Sequence, residues 1–389
     1  MKDIRKLNCL WLILVAAVLI TPAAAQEPDP TEGLEGTMSS PWLKIGVGGR
    51  GAGFADAYTA ICDDATAIFW NPANLCRVRN TQIFAQYGLW FSEMSQNAVS
   101  FTLPMKKSEK LPDAAAGAVT GDIAGAGTSA VGAAQPAQSE PGGYSSWYQQ
   151  YYDYYRTYYG AIVYSDEAIA AGAPSAPQAP PPGGTIAVGV NLFDYGVLTG
   201  RDISGNPTGD FLANSYAAMV SYSNAMGNLG FGITAKMINE TIDTEVESTY
   251  SADAGISLAL GGIRIGAAAQ NLMGSIKEYP LPQIIRAGAG LYMGPIVLTG
   301  DYVMHPDHAP TMHMGAEMSF MGMLAARAGM VIGGDDNYAD GGSGLLPLPL
   351  PEGTSIGVGL YLGNLKMDVA YTPFGGLGDT FRASMLLAF

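Results

Sequence analysis

The sequence predicts an all-β fold: a transmembrane antiparallel β-barrel of about 14 strands. Three observations predict it. The chain begins like an exported protein, yet no later apolar run is long enough for a membrane-spanning helix. Most of the chain divides into short stretches in which apolar and polar residues alternate, and the charges of those stretches avoid one face.

The first residues have the layout of a secretory signal peptide. Lys2, Arg5 and Lys6 form a basic start, Leu10–Ile20 is an apolar run, and the alanines at 23–25 form a small-residue cleavage site. The apolar run is shorter than the roughly 20 residues that a spanning helix needs. We therefore expect residues 1–25 to be removed and the remaining chain to be exported.

Composition leaves two classes of exported protein open. The chain is 48% hydrophobic and 14% charged, contains 51 glycines, and has no helix-length apolar run after Ile20. These values suit either a large soluble β protein or an outer-membrane barrel. The formal net charge of −15 argues against a nucleic-acid partner, which needs a basic surface.

The alternating stretches begin at Thr81 and are separated by Gly, Pro, Asn and Asp. Their number is even, and their lengths suit tilted strands that cross a bilayer. The predicted strands are residues 81–90, 96–104, 184–193, 213–224, 228–238, 250–260, 262–272, 283–293, 295–304, 311–320, 322–332, 353–362, 364–373 and 379–389.

The charged residues favour a membrane barrel over a soluble one. In the run 228–238, for example, Leu229, Phe231 and Ile233 share one face and Lys236 lies on the other. A membrane barrel combines an apolar exterior with a polar lumen, and a soluble barrel has the reverse. We expect the charged face to line the lumen, with part of it internally paired. The predicted lumen-facing charges are Lys236, Arg264, Arg286, Asp301, Glu317, Arg327, Lys366 and Arg382.

Connection lengths point the same way. From the third strand onward, long connections such as 194–212, 239–249 and 333–352 alternate with short turns at Gly227, Gly261, Gly294, Met321 and Gly363. Outer-membrane barrels have longer external loops and tight periplasmic turns. If the N-terminus starts in the periplasm, this order places the insertion 105–183 in the periplasm.

The insertion 105–183 is rich in Ala, Gly and Pro and contains a cluster of tyrosines. Seven of the tyrosines have the spacing of one helical stripe, from Tyr144 to Tyr159. Two interpretations stay open: a low-complexity spacer, or a tethered aromatic helix that docks on a partner or on the barrel mouth.

The chain ends in alternating apolar residues that finish at Phe389. A terminal aromatic residue in this setting resembles the assembly signal of bacterial outer-membrane barrels. It predicts that the barrel-assembly machinery of the outer membrane is a partner, together with outer-membrane lipids.

The N-terminal part carries a glycine-rich motif that needs a separate interpretation. GVGGRGAGF at 46–54 contains the G-x-G-x-x-G of a dinucleotide site. That site requires a preceding buried strand and a βαβ unit, but here only a short apolar stretch precedes the motif and strands follow it. We expect neither a nucleotide nor any other cofactor.

The segment around this motif resembles the N-terminal part of PorV/PorQ family outer-membrane proteins, within the wider group of FadL-like barrels. The resemblance rests on LKIGVGGRGAGFADAYTAICDDATAIFWNPANLC at 43–76, with its Gly-rich run around Arg50, the acidic pair Asp63-Asp64 and the WNPANL element. Further matches follow in order at TGRDISGNPTGDF (199–211), GFGITAKMI (230–238), AAQNLMG (268–274) and LPQIIRAGAGLY (281–292).

The resemblance implies that residues 26–80 fold into the lumen of the barrel 81–389 as a hatch. It assigns hatch or gating roles to Gly48, Arg50, Gly51, Asp63, Asp64, Asn71, Pro72 and Ala73. The glycines would let the hatch backbone approach the wall. Arg50, Asp63 and Asp64 would pair with lumen charges such as Lys236, Arg264, Arg286 and Arg327.

The expected function follows the resemblance and has two versions. FadL-like proteins carry hydrophobic molecules such as long-chain fatty acids across the outer membrane, and PorV is a partner of type IX secretion. The protein would therefore pass a hydrophobic ligand or work with secretion-system components. A third version is a structural barrel whose Tyr-rich arm docks a partner. No catalytic motif was found, so no enzyme activity is expected.

Two smaller residue sets complete the candidates. Cys62 and Cys76 belong to an exported chain, where a disulfide is permitted, and the alternative is two buried free thiols. All the histidines, His305, His308 and His313, fall in one region, but the first two lie on a predicted outer loop beside prolines. We expect an ordinary polar loop there and no metal.

Overall fold

The computed structural model describes residues 37–105, 183–333, 353–374 and 378–389. Fourteen antiparallel strands close into a barrel, which confirms the predicted fold class. A two-stranded hairpin, β8 and β9, lies outside the barrel sheet. The strands are β1 (Gln82–Leu89), β2 (Ser95–Pro104), β3 (Thr185–Arg201), β4 (Pro207–Met226), β5 (Leu229–Ile242), β6 (Glu245–Leu260), β7 (Ile263–Gln270), β8 (Ser275–Ile276), β9 (Tyr279–Pro280), β10 (Ile284–Met293), β11 (Ile296–Met304), β12 (Thr311–Phe320), β13 (Leu324–Gly333), β14 (Thr354–Leu362), β15 (Leu365–Pro373) and β16 (Asp379–Ala388).

The barrel closes through a continuous hydrogen-bonded ladder. Each strand pairs with its neighbour along the chain, β7 pairs directly with β10, and β1 pairs with β16 from Gln82↔Ala388 to Leu89↔Phe381. Closure leaves no free sheet edge, which is what a β structure in a bilayer requires.

Four strands are longer than the alternation predicted. The connection expected at 194–212 is mostly strand, because β3 and β4 stay paired up to Arg201↔Pro207 and only 202–206 form the loop. The connection expected at 239–249 is reduced to 243–244 for the same reason. These predicted long loops were wrong because apolar and polar residues do not alternate regularly at the strand ends. Ladder hydrogen bonds continue there although apolar alternation has stopped.

The outward surface is apolar. Alternate strand residues point away from the barrel axis and are exposed, for example Val99 at 55%, Val220 at 56% and Ile233 at 63%. Their neighbours along each strand point inward and are buried, and many of these are polar or charged. An apolar exterior around a polar interior is the arrangement of a membrane-spanning barrel. The apolar face of each strand is therefore the outward one, and the charged face lies inside, as predicted.

The two ends of the barrel differ. At one end, here called the turn end, the connections at 227–228, 261–262, 294–295 and 363–364 are tight, and their first residue is a glycine with φ between 59° and 63°. The other end, here called the loop end, carries the connections 90–94, 202–206, 243–244, 271–283 and 305–310. Strands β13 and β15 also end there, and β14 and β16 begin there. A left-handed glycine permits the tight turns.

Residues 37–80, here called the N-terminal segment, pack against the inward face of the wall. The segment contains short helical turns at Pro41–Lys44, Gly49–Gly53, Ala67–Trp70 and Pro72–Arg77. Much of the buried apolar core of the described residues belongs to it, including Phe54, Tyr58 and Trp70. In the part of the chain described here, no helix is long and apolar enough to cross a bilayer.

Candidate functional site

The wall accommodates the N-terminal segment at glycines that face inward. A Cβ atom at Gly232 of β5 would lie 2.5 Å from the carbonyl oxygen of Pro72, and one at Gly329 of β13 would lie 2.5 Å from the Ala55 nitrogen. Such distances are far inside van der Waals contact. At these two positions the segment backbone can come this close because the wall residue has no side chain.

Asn71 explains the NPA element of the sequence. Its side-chain oxygen accepts the Ala73 N–H at 3.1 Å and so caps the turn that starts with Pro72. The Asn71 amide group donates to Thr59 O at 3.2 Å and to Ile256 O of β6 at 3.1 Å. One side chain thus fixes the turn, joins two parts of the segment and attaches them to the wall.

Arg50 is the cation at the centre of the segment. Its Nη1 lies 3.1 Å from Asp63 Oδ1 and 3.9 Å from Asp64 Oδ2, and its Nε lies 3.5 Å from Glu317 Oε2 of β12. Glu317 in turn accepts Arg327 Nε at 2.6 Å, and Arg327 Nη1 donates to Asp368 Oδ1 at 2.7 Å. The buried charges form one chain of alternating sign from the segment into the wall.

Asp301 of β11 holds the segment backbone. One of its carboxylate oxygens accepts the N–H groups of Tyr58 at 2.9 Å and Thr59 at 2.8 Å. Gly48 also bonds the wall, because its N–H donates to the side chain of Gln86. A Cβ atom at Gly51 would lie 3.0 Å from the ring of Trp70, so a larger residue there requires that ring to shift.

The other inward charges have separate partners. Lys236 pairs with Asp253 at 2.8 Å and not with the segment, and Arg382 reaches Asp56 and Gly46 O of the segment, both at 3.1 Å. Arg264 lies 4.0 Å from Asp63. Arg286 donates to Gln270 and stacks over Trp70, while the half-buried Lys366 lies 5.7 Å from the ring of Tyr361.

Both cysteines are free thiols, the second of the two alternatives left open by the sequence. The Cys62 sulfur lies between Thr59 O and the Asn74 amide, and the Cys76 sulfur packs against Gly230 of the wall. Burial raises the pKa of both thiols. The thiols are therefore packing residues with little thiolate at neutral pH.

The histidines do not converge on a metal site. His305 and His308 stack with ring centroids 4.0 Å apart, while His313 bonds Ala55 O at 2.6 Å. Asp307, which lies between the first two histidines, pairs with Lys44 at 2.7 Å. Within the described ranges, no group of three metal-ligating side chains is present.

An aromatic cluster at the loop end was missed from the sequence. It is here called the aromatic basin and consists of Trp42, Trp90, Phe91, Phe193, Tyr195 and Phe374. Ring centroids are 5.4 Å apart for Trp90–Phe374, 6.4 Å for Trp90–Phe193 and 6.5 Å for Trp42–Phe193. Trp42 and Phe193 are buried, and the other four rings are partly exposed.

The basin combines wall and segment. Trp90 and Phe374 directly follow β1 and β15, and Phe193 belongs to β3. Trp42 belongs to the N-terminal segment. Beneath the rings lies Arg382, whose guanidinium carbon is 5.4 Å from the centre of the Trp90 ring. The sequence shows only that aromatic residues lie near strand ends. It does not show that they form one cluster, because barrel closure brings together positions as far apart as 42 and 374.

Other predicted features are placed as follows. Phe389 is 63% exposed. Its N–H donates to Thr81 O at 2.9 Å, so the residue after β16 is hydrogen-bonded to the residue before β1. The signal peptide 1–25 and the tyrosines of the insertion 105–183 lie outside the described residues. Their predictions remain predictions, as does the assembly role of Phe389.

No protein-family model and no curated protein matches the sequence. Among solved structures, the chain is similar to the P. putida toluene transporter TodX, with 9% identity, a TM-score of 0.49 and coverage of 88% of this chain and 99% of that one. It is also similar to the CymD monoaromatic hydrocarbon channel (10%, 0.49, 89% and 98%) and the Ralstonia pickettii toluene transporter TbuX (10%, 0.48, 88% and 98%). Likeness this distant concerns the barrel and does not say what this chain carries. The PorV/PorQ resemblance remains a prediction.

Proposed function

We propose that the protein is an outer-membrane barrel of a Gram-negative-type bacterium that passes hydrophobic small molecules, with the N-terminal segment as its gate. The observation that carries the proposal is the aromatic basin. Its partly exposed rings offer an apolar surface at the loop end, and its floor includes Trp42 of the segment. A ligand bound there would contact the wall and the gate together.

The buried polar contacts support a gate that is held but can be released. Arg50, Asp301 and Asn71 attach the segment to the wall by ion pairs and hydrogen bonds, and no covalent bond between the cysteines closes it further. Polar contacts of this kind can be exchanged for water when the segment moves. Sealing the lumen at rest would protect the periplasm, and movement of the segment would open it.

The proposal is tested by uptake of a radiolabelled long-chain fatty acid and of toluene. The host is a Gram-negative strain whose own outer-membrane importer for such compounds is deleted. The wild-type chain should restore uptake, and Trp90→Ala should reduce it severalfold because it removes the ring that contacts three others. Tyr302→Ala removes an aromatic side chain from the outward face and serves as the control. No uptake by a correctly assembled wild-type barrel would reject the proposal.

The secretion-associated role expected from the PorV/PorQ resemblance makes a different prediction. A barrel of that kind should retain a protein cargo or a secretion-system component when it is purified in mild detergent. A carrier of hydrophobic molecules should retain small apolar ligands, which solvent extraction and mass spectrometry would identify. A docking role for the Tyr-rich insertion predicts a protein that is lost when residues 106–182 are deleted.

A further inference from the structure

Arg264 of β7 is a buried cation at the turn end whose donors are poorly matched. Its residue surface is 3% exposed, and its Nε and Nη1 have no acceptor among the described residues. The nearest carboxylate is Asp63, with 4.0 Å between Nη2 and Oδ2, beyond hydrogen-bond distance. Burying a guanidinium in this way is costly unless an anion completes its contacts.

Tyr292 of β10 adds a second donor at the same place. Its ring centre lies 5.3 Å from the guanidinium carbon of Arg264, and its buried hydroxyl also lacks a partner in the described part of the chain. The Tyr292 N–H donates to Gly262 O at 2.8 Å, which fixes the residue beside the start of β7. The Tyr292 ring therefore lies beside the guanidinium group of Arg264, and its hydroxyl is a second buried donor without an acceptor there.

Arg77 of the N-terminal segment supplies a third donor group. Its Nη2 donates to Asn228 O at 3.2 Å and to Ser257 Oγ at 3.4 Å, and its Nε has no acceptor. Ala259 pairs directly with Arg264, and Ser257 is the next inward residue of β6. Burial lowers the pKa of Arg77, and the neighbouring positive charge of Arg264 lowers it further.

We propose that Arg264, Tyr292 and Arg77 form a binding site for a small oxyanion, either a carboxylate or a phosphate, at the turn end. The two guanidinium groups are donors only, and the tyrosine hydroxyl can donate as well. Asp63, the acid beside them, is already shared with Arg50 at 3.1 Å. Arg77 is only partly buried, so an anion can approach from the turn end.

The site is separate from the aromatic basin and does not depend on the proposed passage of hydrophobic molecules. A carboxylate could arrive as a small free acid or as the head of an amphiphile, and a phosphate could come from solution. The chemistry that Arg264 recognises is the same in each case: compact negative charge on oxygen.

Isothermal titration of the full-length protein in a non-ionic detergent tests the site. The probes are acetate, octanoate and inorganic phosphate at constant ionic strength, with chloride as the reference anion. Wild type should bind at least one oxyanion saturably. Arg264→Gln should weaken that binding by at least about tenfold, because a charge-assisted contact is lost. Arg201→Gln changes an exposed arginine at the other end and should leave it unaltered.

The result also identifies the source of the anion. Tighter binding of octanoate than of acetate indicates an amphiphile head, equal binding indicates a free acid, and preference for phosphate indicates inorganic or ester phosphate. The proposal is overturned if no oxyanion binds saturably, if chloride binds equally well, or if both arginine variants behave alike. Should Arg264→Gln fail to assemble, Tyr292→Phe and Arg77→Gln replace it, and unchanged affinity in both overturns the site.

Discussion

Arg50 of the N-terminal segment lies 3.5 Å from Glu317 of the barrel wall, measured from Nε to Oε2. Glu317 also accepts Arg327 at 2.6 Å, so one buried carboxylate joins a cation of the segment to a cation of the wall. Neither Arg50 nor Glu317 can be removed without leaving its partners with an unbalanced charge. This pair sets the first prediction.

Arg50→Gln should loosen the segment. Removing one member of a buried ion network costs about 3–5 kcal/mol, because the remaining charges stay buried without compensation. The expected result is a higher ion conductance of the barrel in planar bilayers. Lys277→Gln removes an exposed ion pair to Glu245, with side chains 56% and 73% exposed, and should not change conductance. Equal conductance of wild type and Arg50→Gln would show that Arg50 does not hold the segment.

Gly329→Ala should displace the segment by sterics alone. A Cβ atom at Gly329 would lie 2.5 Å from the Ala55 nitrogen, so the backbone at 54–55 has to move away from the wall. Gly300→Ala is the matched control, because its Cβ would meet its nearest atom, His313 O, at 3.7 Å. Conductance should rise only for Gly329→Ala, while both variants keep the heat-modifiable gel migration of an assembled barrel. Unchanged conductance in Gly329→Ala would contradict the close contact between Gly329 and the segment backbone at Ala55.

Asp301→Ala should expose the backbone of the segment to exchange. The N–H groups of Tyr58 and Thr59 would lose their acceptor, and an unsatisfied buried donor costs about 1–3 kcal/mol. Hydrogen–deuterium exchange of a peptide that covers 58–59 should accelerate about tenfold, and Asp301→Asn, which keeps a neutral acceptor, should lie between. Asp210→Ala removes an exposed carboxylate and provides the baseline. Unchanged exchange in Asp301→Ala would assign these N–H groups to another acceptor.

Cys62 and Cys76 should react slowly with maleimide. Burial raises the pKa of both thiols, so at pH 7 to about 8 the reactive thiolate is scarcer than in an exposed cysteine. Labelling should increase with pH and become complete only after unfolding, while Ser204→Cys on the exposed loop 202–206 labels at once in the native state. Migration on reducing and non-reducing gels should be the same. A mobility difference that both Cys62→Ser and Cys76→Ser abolish would indicate a disulfide instead.

The sequence determined the barrel because its signal is local and repeated. Leu229, Phe231 and Ile233 alternate with residues that include Lys236, and the same pattern recurs through fourteen runs. A period of two needs no knowledge of the partner strand. The alternation missed strand ends where apolar and polar residues no longer alternate regularly, as in β5 and β6. Hydrogen bonding between the strands continues there without that pattern.

The tertiary structure alone decided what the interior side chains contact. Composition and phase placed Lys236 and Arg327 inward, but closure assigned Lys236 to Asp253 on the neighbouring strand and Arg327 to Glu317 and Asp368. The aromatic basin and the oxyanion site depend on the same closure, since both join residues of the N-terminal segment to distant strands. Alternation predicts which way a side chain points. Only the closed barrel, with the N-terminal segment packed against its inward face, determines which residues that side chain contacts.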